Sequence, residues 1–458
     1  MKAPETLWSP GASPDSQMLA YTVADDREVD ARLLRWDVIG SLGHLEALSR
    51  GGIITARERA SMRRALLAAL KAVDAGELRI GPAHEDGHSA VEFWLTRHFG
   101  DVGERLHAGR SRNDQVVTDL RLFLKDEVLS LHHRMLTLAD ALFGFAASHR
   151  RVLWPGYTHQ RRAMPSSAGL WAAGYAEGLV DAADAVLGFW SRLDRCPLGS
   201  AAGYGVPLPL AREAAAKALG FGDIDQVVTS VQGARGTLEA AVLFWCTEAA
   251  HHCAKLSSDV ILFSAEEFGW LVLPTELSTG SSIMPQKRNP DLFELTRARA
   301  ASLEGDLAAV MALKGSLPGG YHRDFQFLKA PLFRGLDRTR EMLSMLTTAV
   351  PRLRVNTDAA ATALQGDILA TDEVMRRVRE GTPFRRAYRA VAEEVKRGRP
   401  MESLSASAMI AARSSTGSAG NLPLALLRSR LRTALRWNAS RRKAYSSALM
   451  RLTKARTR

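Results

Sequence analysis

Four polar clusters, far apart along the chain, contain the candidate catalytic and binding side chains. The first, residues 107–115, reads HAGRSRNDQ and directly precedes a long helical pattern. A helix start presents free N–H groups and the positive end of its dipole, so this segment favours an anion. Arg112 could hold a carboxylate through two hydrogen bonds, and Asn113 could donate another. The alternative is that Asn113 or Asp114 only caps the helix while the arginines are solvated.

The second cluster, residues 155–165, reads PGYTHQRRAMP and lies between two helical patterns. Thr158 and His159 occupy a turn bounded by proline and glycine. There an imidazole can reach a cleft and change its charge near neutral pH. A lone histidine in a loop is, however, more often a polar surface residue.

The third cluster, residues 280–291, reads GSSIMPQKRNPD and leads into another helix. Its glycine, two hydroxyls, lysine and asparagine suit a mobile loop that delivers a hydroxyl and a cation to a negatively charged reacting group. Ordinary flexible loops contain the same residue types, so this cluster alone leaves both interpretations open.

The fourth cluster, residues 321–329, reads YHRDFQFLK and follows the sequence LPGG. Tyr321, Gln326 and Lys329 could supply a phenol, an amide and an ammonium to a polar ligand. If the segment is helical, Gln326 and Lys329 are three residues apart and share a face.

Long helices must position these clusters. Between residues 115 and 145 the apolar side chains recur in alternating steps of four and three, which predicts a long core helix. A second stripe with the same steps, from Leu238 to Phe263, lies in a proline-free stretch and predicts a helix that is longer still. Further helices are expected near 166–194, 291–313 and 332–350, whereas strand patterns are nearly absent.

Several long helices joined by short connections bury their stripes most economically against one another, so we expect a mainly α fold with a central helical bundle. The repeat of the apolar stripes, about every 3.5 residues, also favours packing of the bundle against copies of the chain. Changes in composition predict an N-terminal, mostly helical domain (residues 1–108), a central long-helix bundle (109–357), and a small helical C-terminal domain with a basic tail (358–458).

Composition excludes several classes of protein. A length of 458 residues, with 46% hydrophobic and 24% charged residues, is typical of a large globular chain. We find no apolar run of membrane-span length and no signal peptide. The three cysteines lack metal-type spacing and suit a reducing compartment. These features together predict a cytoplasmic protein. The net charge of +12 arises after Glu402, where twelve basic residues and no acidic ones follow. Such a run is more typical of a solvated helix face than of a nucleic-acid-binding tail.

Residues 84–88 match the zinc-binding pattern HExxH. The proline before the motif and Gly87 inside it predict a turn that enters a helix at Ser89, which disfavours zinc. The sequence contains no phosphate-binding loop, dinucleotide-binding fingerprint or serine-hydrolase elbow, which disfavours phosphoryl, hydride and serine-hydrolase chemistry.

Taken together, these clusters resemble the argininosuccinate lyase family of the fumarase/aspartase superfamily. The resemblance implies that no metal or organic cofactor is required. The match covers residues 106–123, 156–165, 279–291 and 321–329, with support from Glu85-Asp86-x-His88 and from residues 36–41 and 370–384. The segment 280–289 marks the superfamily, and 109–115 is more specific to this lyase. The resemblance implies three mostly α domains, a homotetramer with a twenty-helix core, and active sites assembled from three subunits.

The resemblance also implies a reaction, the reversible elimination of L-arginine from argininosuccinate to leave fumarate. Such a site must stabilise a carbanion whose negative charge collects on the neighbouring carboxylate. By analogy, Ser281 removes the proton. Lys287 and Asn289 hold the aci-carboxylate, and His159, oriented by Glu294, protonates the departing nitrogen. The carboxylates and the amino-acid end of this small-molecule substrate would contact Arg112, Asn113, Thr158, Tyr321, Gln326 and Lys329.

At several positions the sequence departs from the family pattern. Arg288 and Arg323 stand where lysines are common, residues 232–237 replace an acidic segment, and Asp26 stands where a substrate-binding serine is usual. We expect Asp26 and the 232–237 segment to face the end of the substrate that is remote from the succinyl group. The identity of the leaving amine therefore stays open.

Three other functions also stay open on the sequence alone. A superfamily lyase could act on a different N-substituted aspartate. A catalytically silent structural protein, as lens crystallins of this lineage are, is a second possibility, although retention of His159, Ser281 and Lys287 argues against it. Polyanion binding through residues 428–458 is the third.

Overall fold

The computed structural model describes residues 15–23, 26–82, 84–401 and 404–454. Within those ranges the chain is mainly helical, which confirms the predicted fold class. The helices that precede the bundle are α1 (Ser16–Val23), α2 (Asp26–Asp30), α3 (Leu34–Arg50), α4 (Ala56–Asp74), α5 (Gly87–Phe99) and α6 (Asp101–Arg105). Helices α3, α4 and α5 share a core in which Val38, Leu42 and Leu66 are buried.

The central bundle begins with α7 (Arg112–Ser148), a helix of 37 residues. Its apolar stripe is covered by neighbouring helices, so Leu124, Val128 and Leu131 are fully buried. The helices that follow are α8 (Ala168–Asp184), α9 (Leu187–Leu193), α10 (Arg212–Leu219), α11 (Val228–Gly233), α12 (Thr237–Ser264), α13 (Asp291–Gly315) and α14 (Lys329–Ala349). Helix α7 packs against α8, and α13 packs against both α12 and α14.

The prediction that the second long helix exceeds the first is wrong, because α12 has only 28 residues. The proline-free stretch around it also holds α10 and α11, and glycines separate the helices. Gly220 ends α10 with a φ of 74°, and Gly236 precedes α12 with a φ of 79°, in a region that other residues rarely adopt. The helix expected over 166–194 is likewise divided, into α8 and α9.

In the described chain, short two-stranded sheets connect the helices, which the residue pattern did not predict. The strands are β1 (Leu153–Thr158), β2 (Arg161–Ser167), β3 (Arg195–Cys196), β4 (Asp223–Ile224), β5 (Leu271–Val272), β6 (Thr279–Gly280), β7 (Arg288–Asn289) and β8 (Arg354–Val355). They pair as β1 with β2, β3 with β4, β5 with β8 and β6 with β7. The β3–β4 pair is parallel and the others are antiparallel.

The end of the chain first forms a small helical unit and then returns to the bundle. The small unit contains α15 (Thr357–Thr362), α16 (Ala370–Arg379), α17 (Phe384–Lys396) and α18 (Ala406–Ala411). The last helix, α19 (Leu424–Thr453), packs against α7, α8, α10 and α3. Short 3-10 helices cover Thr275–Leu277, Arg323–Leu328, Val350–Arg352 and Gly366–Leu369. The predicted division into three domains stays a prediction.

The long helices separate the four polar clusters into two groups. At 1.5 Å per residue, α7 is about 55 Å long and α13 about 37 Å. Arg112 begins α7, whereas the β1–β2 hairpin follows its far end. Ser281 precedes α13, whereas Tyr321 follows its far end. The first and fourth clusters therefore lie at one end of the bundle, and the second and third lie at the other.

None of the helices in the described parts of the chain has the length and apolar character needed to cross a membrane.

Candidate active site

A cavity of about 110 Å³ lies at the end of the bundle where α7 and α14 begin. Five residues predicted to bind substrate line it: Arg112, Asn113, Tyr321, Gln326 and Lys329. These residues come from two clusters that are some two hundred positions apart in the sequence. Five further charged residues also line it: Asp30, Asp86, His88, Arg235 and Arg323. Arg235 lies in the 232–237 segment that was expected to face the substrate and Arg323 lies in the fourth cluster, whereas the other three were not predicted as site residues.

Ser111 is the N-cap of α7 and Asp114 completes its capping box, so of the two residues considered as caps Asp114 takes part and Asn113 does not. The Ser111 hydroxyl accepts a hydrogen bond from the backbone N–H of Asn113, and the Asp114 carboxylate accepts one from the N–H of Ser111. Asp114 is buried and also accepts the N–H groups of Gly199 and Ala201, each at 2.9 Å. Burial raises its pKa to about 6, although these hydrogen bonds oppose the increase. This cap leaves Arg112 and Asn113 at the cavity wall.

The segment before α5 orients the arginines of the cavity. Arg112 Nη1 lies 3.0 Å from both Glu85 Oε2 and Asp86 Oδ2. Arg323 Nη1 lies 3.3 Å from the other oxygen of Glu85. Because the two arginines share Glu85, the first and fourth clusters are joined by charge as well as by position. A dicarboxylate that enters here meets guanidinium groups whose orientation is already set.

His88 connects the cavity to a buried layer of acids behind it. Its Nδ1 atom lies 2.7 Å from Asp37 Oδ2 and 3.7 Å from Asp119 Oδ2. Burial alone would lower the pKa of His88, but the carboxylates of Asp37, Asp86 and Asp119 raise it to about 9. Burial also raises the pKa of Asp119 well above its usual value. Gly40 on α3 permits this packing, since a Cβ there would lie 2.9 Å from Asp119 Oδ1.

By distance alone, Asp37, His88 and Asp119 could hold a metal ion, because their ligand atoms lie within 4.8 Å of one another. A protonated Nδ1 cannot also coordinate a metal, so the arrangement fits a buried ion pair better. The HExxH motif does not form a zinc helix either. Helix α5 begins at Gly87, two residues earlier than predicted, and His84 lies outside it.

Lys329 is buried between two acids instead of projecting into open solvent. Its Nζ atom lies 2.9 Å from Asp26 Oδ1 and also contacts Asp30. Burial lowers the pKa of Lys329, but Asp30 and Asp26 outweigh that effect and raise it. The ammonium is therefore held in the charged state at the cavity wall.

Ser281 lies in the loop that joins β6 to β7, immediately before α13. Its side chain is half-buried, and its Oγ accepts hydrogen bonds from the backbone N–H groups of Ile283 (3.4 Å) and Met284 (3.2 Å). Lys287 is exposed in the same loop, and Asn289 donates to the carbonyl oxygen of Gly280 at 3.5 Å. The loop thus carries a half-buried hydroxyl and an exposed ammonium.

His159 lies at the exposed tip of the β1–β2 hairpin, so the simple turn expected there is a strand pair. His159 and Gln160 have φ values of 52° and 57°, and Thr158 pairs with Arg161 across the turn. Positive φ at both central residues is typical of a type I′ turn. Glu294, the predicted partner of His159, is exposed in the first turn of α13. Within the described residues no hydrogen bond joins the two side chains.

The residues that the sequence missed carried weak signals. Asp30 is four positions after Asp26, and this spacing puts two acids on one helix face. Arg235 was not missed entirely, because it lies in the 232–237 segment that we expected to face the substrate. His88 was assessed as a possible zinc ligand and as part of the family resemblance, but not as a residue of the cavity wall.

Comparison with known proteins decides the family. A family model described as Lyase matches residues 20–305. The argininosuccinate lyase of Sorangium cellulosum is 42% identical over 425 residues, which are 93% of this chain and 98% of that protein. The chain belongs to the argininosuccinate lyase family. The argininosuccinate lyase of Parabacteroides distasonis is 38% identical over 418 residues, which are 91% of this chain and 93% of that protein.

Solved structures agree with the argininosuccinate lyase family fold. An EDDS lyase in complex with formate has a TM-score of 0.81 at 23% identity and covers 97% of this chain and 95% of its own. A class II fumarase from Schistosoma mansoni has a TM-score of 0.71 at 15% identity and covers 85% of this chain and 89% of its own. At these identities the likeness concerns the fold. It confirms the expected mainly α architecture.

Proposed function

We propose that this chain catalyses the reversible elimination of L-arginine from argininosuccinate, which produces fumarate. The observation that carries this proposal is the cavity at the start of α7. There Arg112 and Asn113 meet Tyr321, Gln326 and Lys329, and relatives named argininosuccinate lyase cover nearly the whole chain.

In the proposed mechanism, the cavity binds the substrate and the two surface loops perform the proton transfers. Arg112 and Asn113 bind a carboxylate of the succinyl part, while Tyr321, Gln326 and Lys329 face the amino-acid end. Thr158 would add a hydroxyl from the hairpin. Binding energy from these polar contacts orients the carbon that loses its proton.

Ser281 removes that proton. A serine hydroxyl is a weak base, so its anion needs donors around it. The N–H groups of Ile283 and Met284, which already donate to Oγ, supply two. Lys287 and Asn289 in the same loop stabilise the negative charge that develops on the carboxylate. This chemistry uses only backbone and side-chain groups of the protein.

His159 protonates the departing guanidino nitrogen, and Glu294 orients it. An ordinary imidazole can both hold and release a proton near neutral pH. Its place at the tip of a hairpin lets it project from the chain that carries it into a neighbouring site.

The complete site requires more than one copy of the chain. Arg112 and the β1–β2 hairpin are separated by the length of α7, and Tyr321 and Ser281 by the length of α13. A homotetramer in which different subunits supply these groups brings them to one substrate. The resemblance to the argininosuccinate lyase family implies such a homotetramer.

A cytoplasmic location is part of the proposal. Cys196, Cys246 and Cys253 are buried and free, and burial raises each thiol's pKa to about 12. Unpaired thiols of this kind suit a reducing compartment.

The deciding experiment is a fumarate assay on the purified full chain, followed by ultraviolet absorbance. Argininosuccinate is compared with a panel of other N-substituted aspartates. Fumarate release that is fastest from argininosuccinate supports the proposal. Release only from another adduct would reassign the substrate, and no release from any of them would favour a silent structural protein.

A further inference from the structure

A second cavity, of about 340 Å³, lies on the side of the bundle, where the junction of α8 and α9 faces α7 and α19. It shares no lining residue with the substrate cavity. His132 on α7 lines it and follows Arg112 by twenty positions. That spacing corresponds to about 30 Å along the helix, so the second cavity is remote from the substrate-binding arginine.

His132 offers this cavity a hydrogen-bond donor. Its exposed fraction is 1%, and burial lowers its pKa to about 4, so the imidazole is neutral at neutral pH. The amide nitrogen of Asn438 donates to His132 Nδ1 at 3.1 Å and to the carbonyl oxygen of Leu129 at 2.8 Å. Because an amide nitrogen only donates, Nδ1 accepts and the ring proton is on Nε2. This Nε2–H makes no hydrogen bond to any residue that the structure describes, which leaves it available to an acceptor on a ligand.

The cavity also borders an excess of acid. Glu177, Asp181 and Asp184 recur in steps of four and three and therefore share one face of α8. Arg430 on α19 pairs with Glu177 at 3.1 Å and with Asp181. Burial raises the pKa of Asp184, and the charge of Arg430 opposes that increase without an ion pair between the two. One cation thus serves three acids, and Asp184, which lines the cavity, retains the capacity to pair with a cationic ligand.

An aromatic ring and two exposed leucines supply the apolar part of the cavity. Trp437 packs against the His132 ring, with 5.1 Å between centroids, and edge-on against Trp190 at 5.2 Å. These contacts hold the indole in place at the cavity wall. Leu187 and Leu426 also line the cavity and are more than half exposed. Apolar walls with a few polar groups are typical of small-molecule sites, and an indole face attracts cations.

We propose that this cavity is a second ligand site, which binds a small organic cation that carries an aromatic ring and a hydrogen-bond acceptor. The ammonium of the ligand pairs with Asp184, its ring packs on Trp437, and its acceptor takes the proton of His132 Nε2–H. The site belongs to the side of a single chain and is independent of the proposed elimination reaction.

The test is calorimetry on the purified full chain with tyramine as the probe. Tyramine combines an ammonium, an aromatic ring and a hydroxyl oxygen. Phenethylamine lacks the hydroxyl, and 3-(4-hydroxyphenyl)propanoate replaces the ammonium with a carboxylate. We expect the wild-type protein to bind tyramine with a Kd of about 0.01–1 mM. It should bind phenethylamine about 3–10-fold more weakly and the carboxylate at least about tenfold more weakly.

Two substitutions separate the contributions of the acid and the imidazole. Asp184→Asn should reduce the preference for tyramine over the carboxylate about 3–5-fold, since Glu177 and Asp181 remain, and should leave the preference over phenethylamine in place. His132→Phe keeps a ring of similar size and should do the reverse. Asp184→Glu keeps the charge and should retain both preferences. The matched control is Asp140→Asn, which changes an exposed acid of α7 that does not line the cavity.

The wild-type measurements decide the inference even if a variant fails to fold. No binding of tyramine at about 5 mM, or equal affinity for all three probes, would overturn it. So would a loss of the preferences in Asp26→Asn, the acid beside Lys329, with none in Asp184→Asn, because tyramine would then occupy the substrate-binding end of the bundle.

Discussion

The imidazole Nδ1 of His88 lies 2.7 Å from Oδ2 of Asp37, in the buried layer behind the substrate cavity. This contact joins α5 to α3, and Asp119 adds α7 to the same ion cluster. The cluster therefore couples the protonation of one histidine to the packing of three helices that surround the cavity.

Stability should fall as pH rises above neutrality. The pKa of His88 is about 9 in the folded chain against 6.5 for an ordinary histidine. Its contribution to stability is therefore complete below pH 6.5 and is lost as pH rises through about 9. A shift of this size corresponds to about 3 kcal/mol. Denaturant unfolding between pH 6.5 and about 9, at constant protein concentration, measures this change in the free energy of unfolding.

His88→Gln should remove most of that pH dependence, whereas His98→Gln, which changes an exposed histidine on the same helix, should preserve it. If the free energy of unfolding depends on pH in the same way in the wild-type protein and in His88→Gln, His88 does not cause the effect.

Ser281→Ala should lower kcat for fumarate formation by about 10²–10⁴-fold, because the base that removes the proton is lost. Substrate binding should change little, since the cavity residues are untouched. Single-turnover kinetics and calorimetry separate the two quantities. Ser278→Ala is the control, because that hydroxyl donates only to the carbonyl oxygen of Thr275. Near-normal turnover of Ser281→Ala would remove Ser281 from the role of base.

His159→Asn should slow release of the amine and remove one limb of the pH–rate profile. Asparagine tolerates positive φ well, so the substitution removes the imidazole while keeping the type I′ turn. The control is Gln160→Gly, which keeps His159 and suits the turn. If the pH–rate profile of His159→Asn matches that of the wild-type protein, another group is the acid.

Two inactive variants should restore activity when they share an assembly. Co-refolding Ser281→Ala with His159→Asn would place an intact Ser281 and an intact His159 in some sites, provided that different subunits supply them. Fumarate release after mixing measures this complementation. The control mixes Ser281→Ala with the doubly substituted chain, which cannot form a complete site. Activity in the control, or none in the test mixture, would argue against sites shared in this way.

Packing in the bundle should be sensitive at Gly335. A Cβ there would lie 2.4 Å from Leu243 and 2.7 Å from Leu303, where α12, α13 and α14 meet. Gly335→Ala should therefore lower the free energy of unfolding by about 1–3 kcal/mol. Gly305→Ala on α13 meets no atom within 4 Å and should raise stability by about 0.5–1 kcal/mol. Thermal unfolding compares the two, and equal effects would contradict the packing argument.

The sequence predicted the helices with strong apolar periodicity but not their ends. The stripe of α7 identified a long core helix because its repeat persists over many turns. The ends of α10 and α12 depend on glycines at positive φ, and the composition of a proline-free stretch does not reveal which glycine adopts it. The hairpin at His159 was missed because its two strands are short and carry no alternating apolar pattern that would predict them.

By itself, the sequence determined the helical class, the family resemblance and the residue types of the four clusters, because these depend on local spacing and on residue identity. Only the tertiary structure decided which clusters meet. The lengths of α7 and α13 place Arg112 beside Tyr321 and keep both away from Ser281 and His159. It also decided that Lys329 lies between two acids, since charge pairing of residues some three hundred positions apart follows from packing and leaves no periodic signal in the chain.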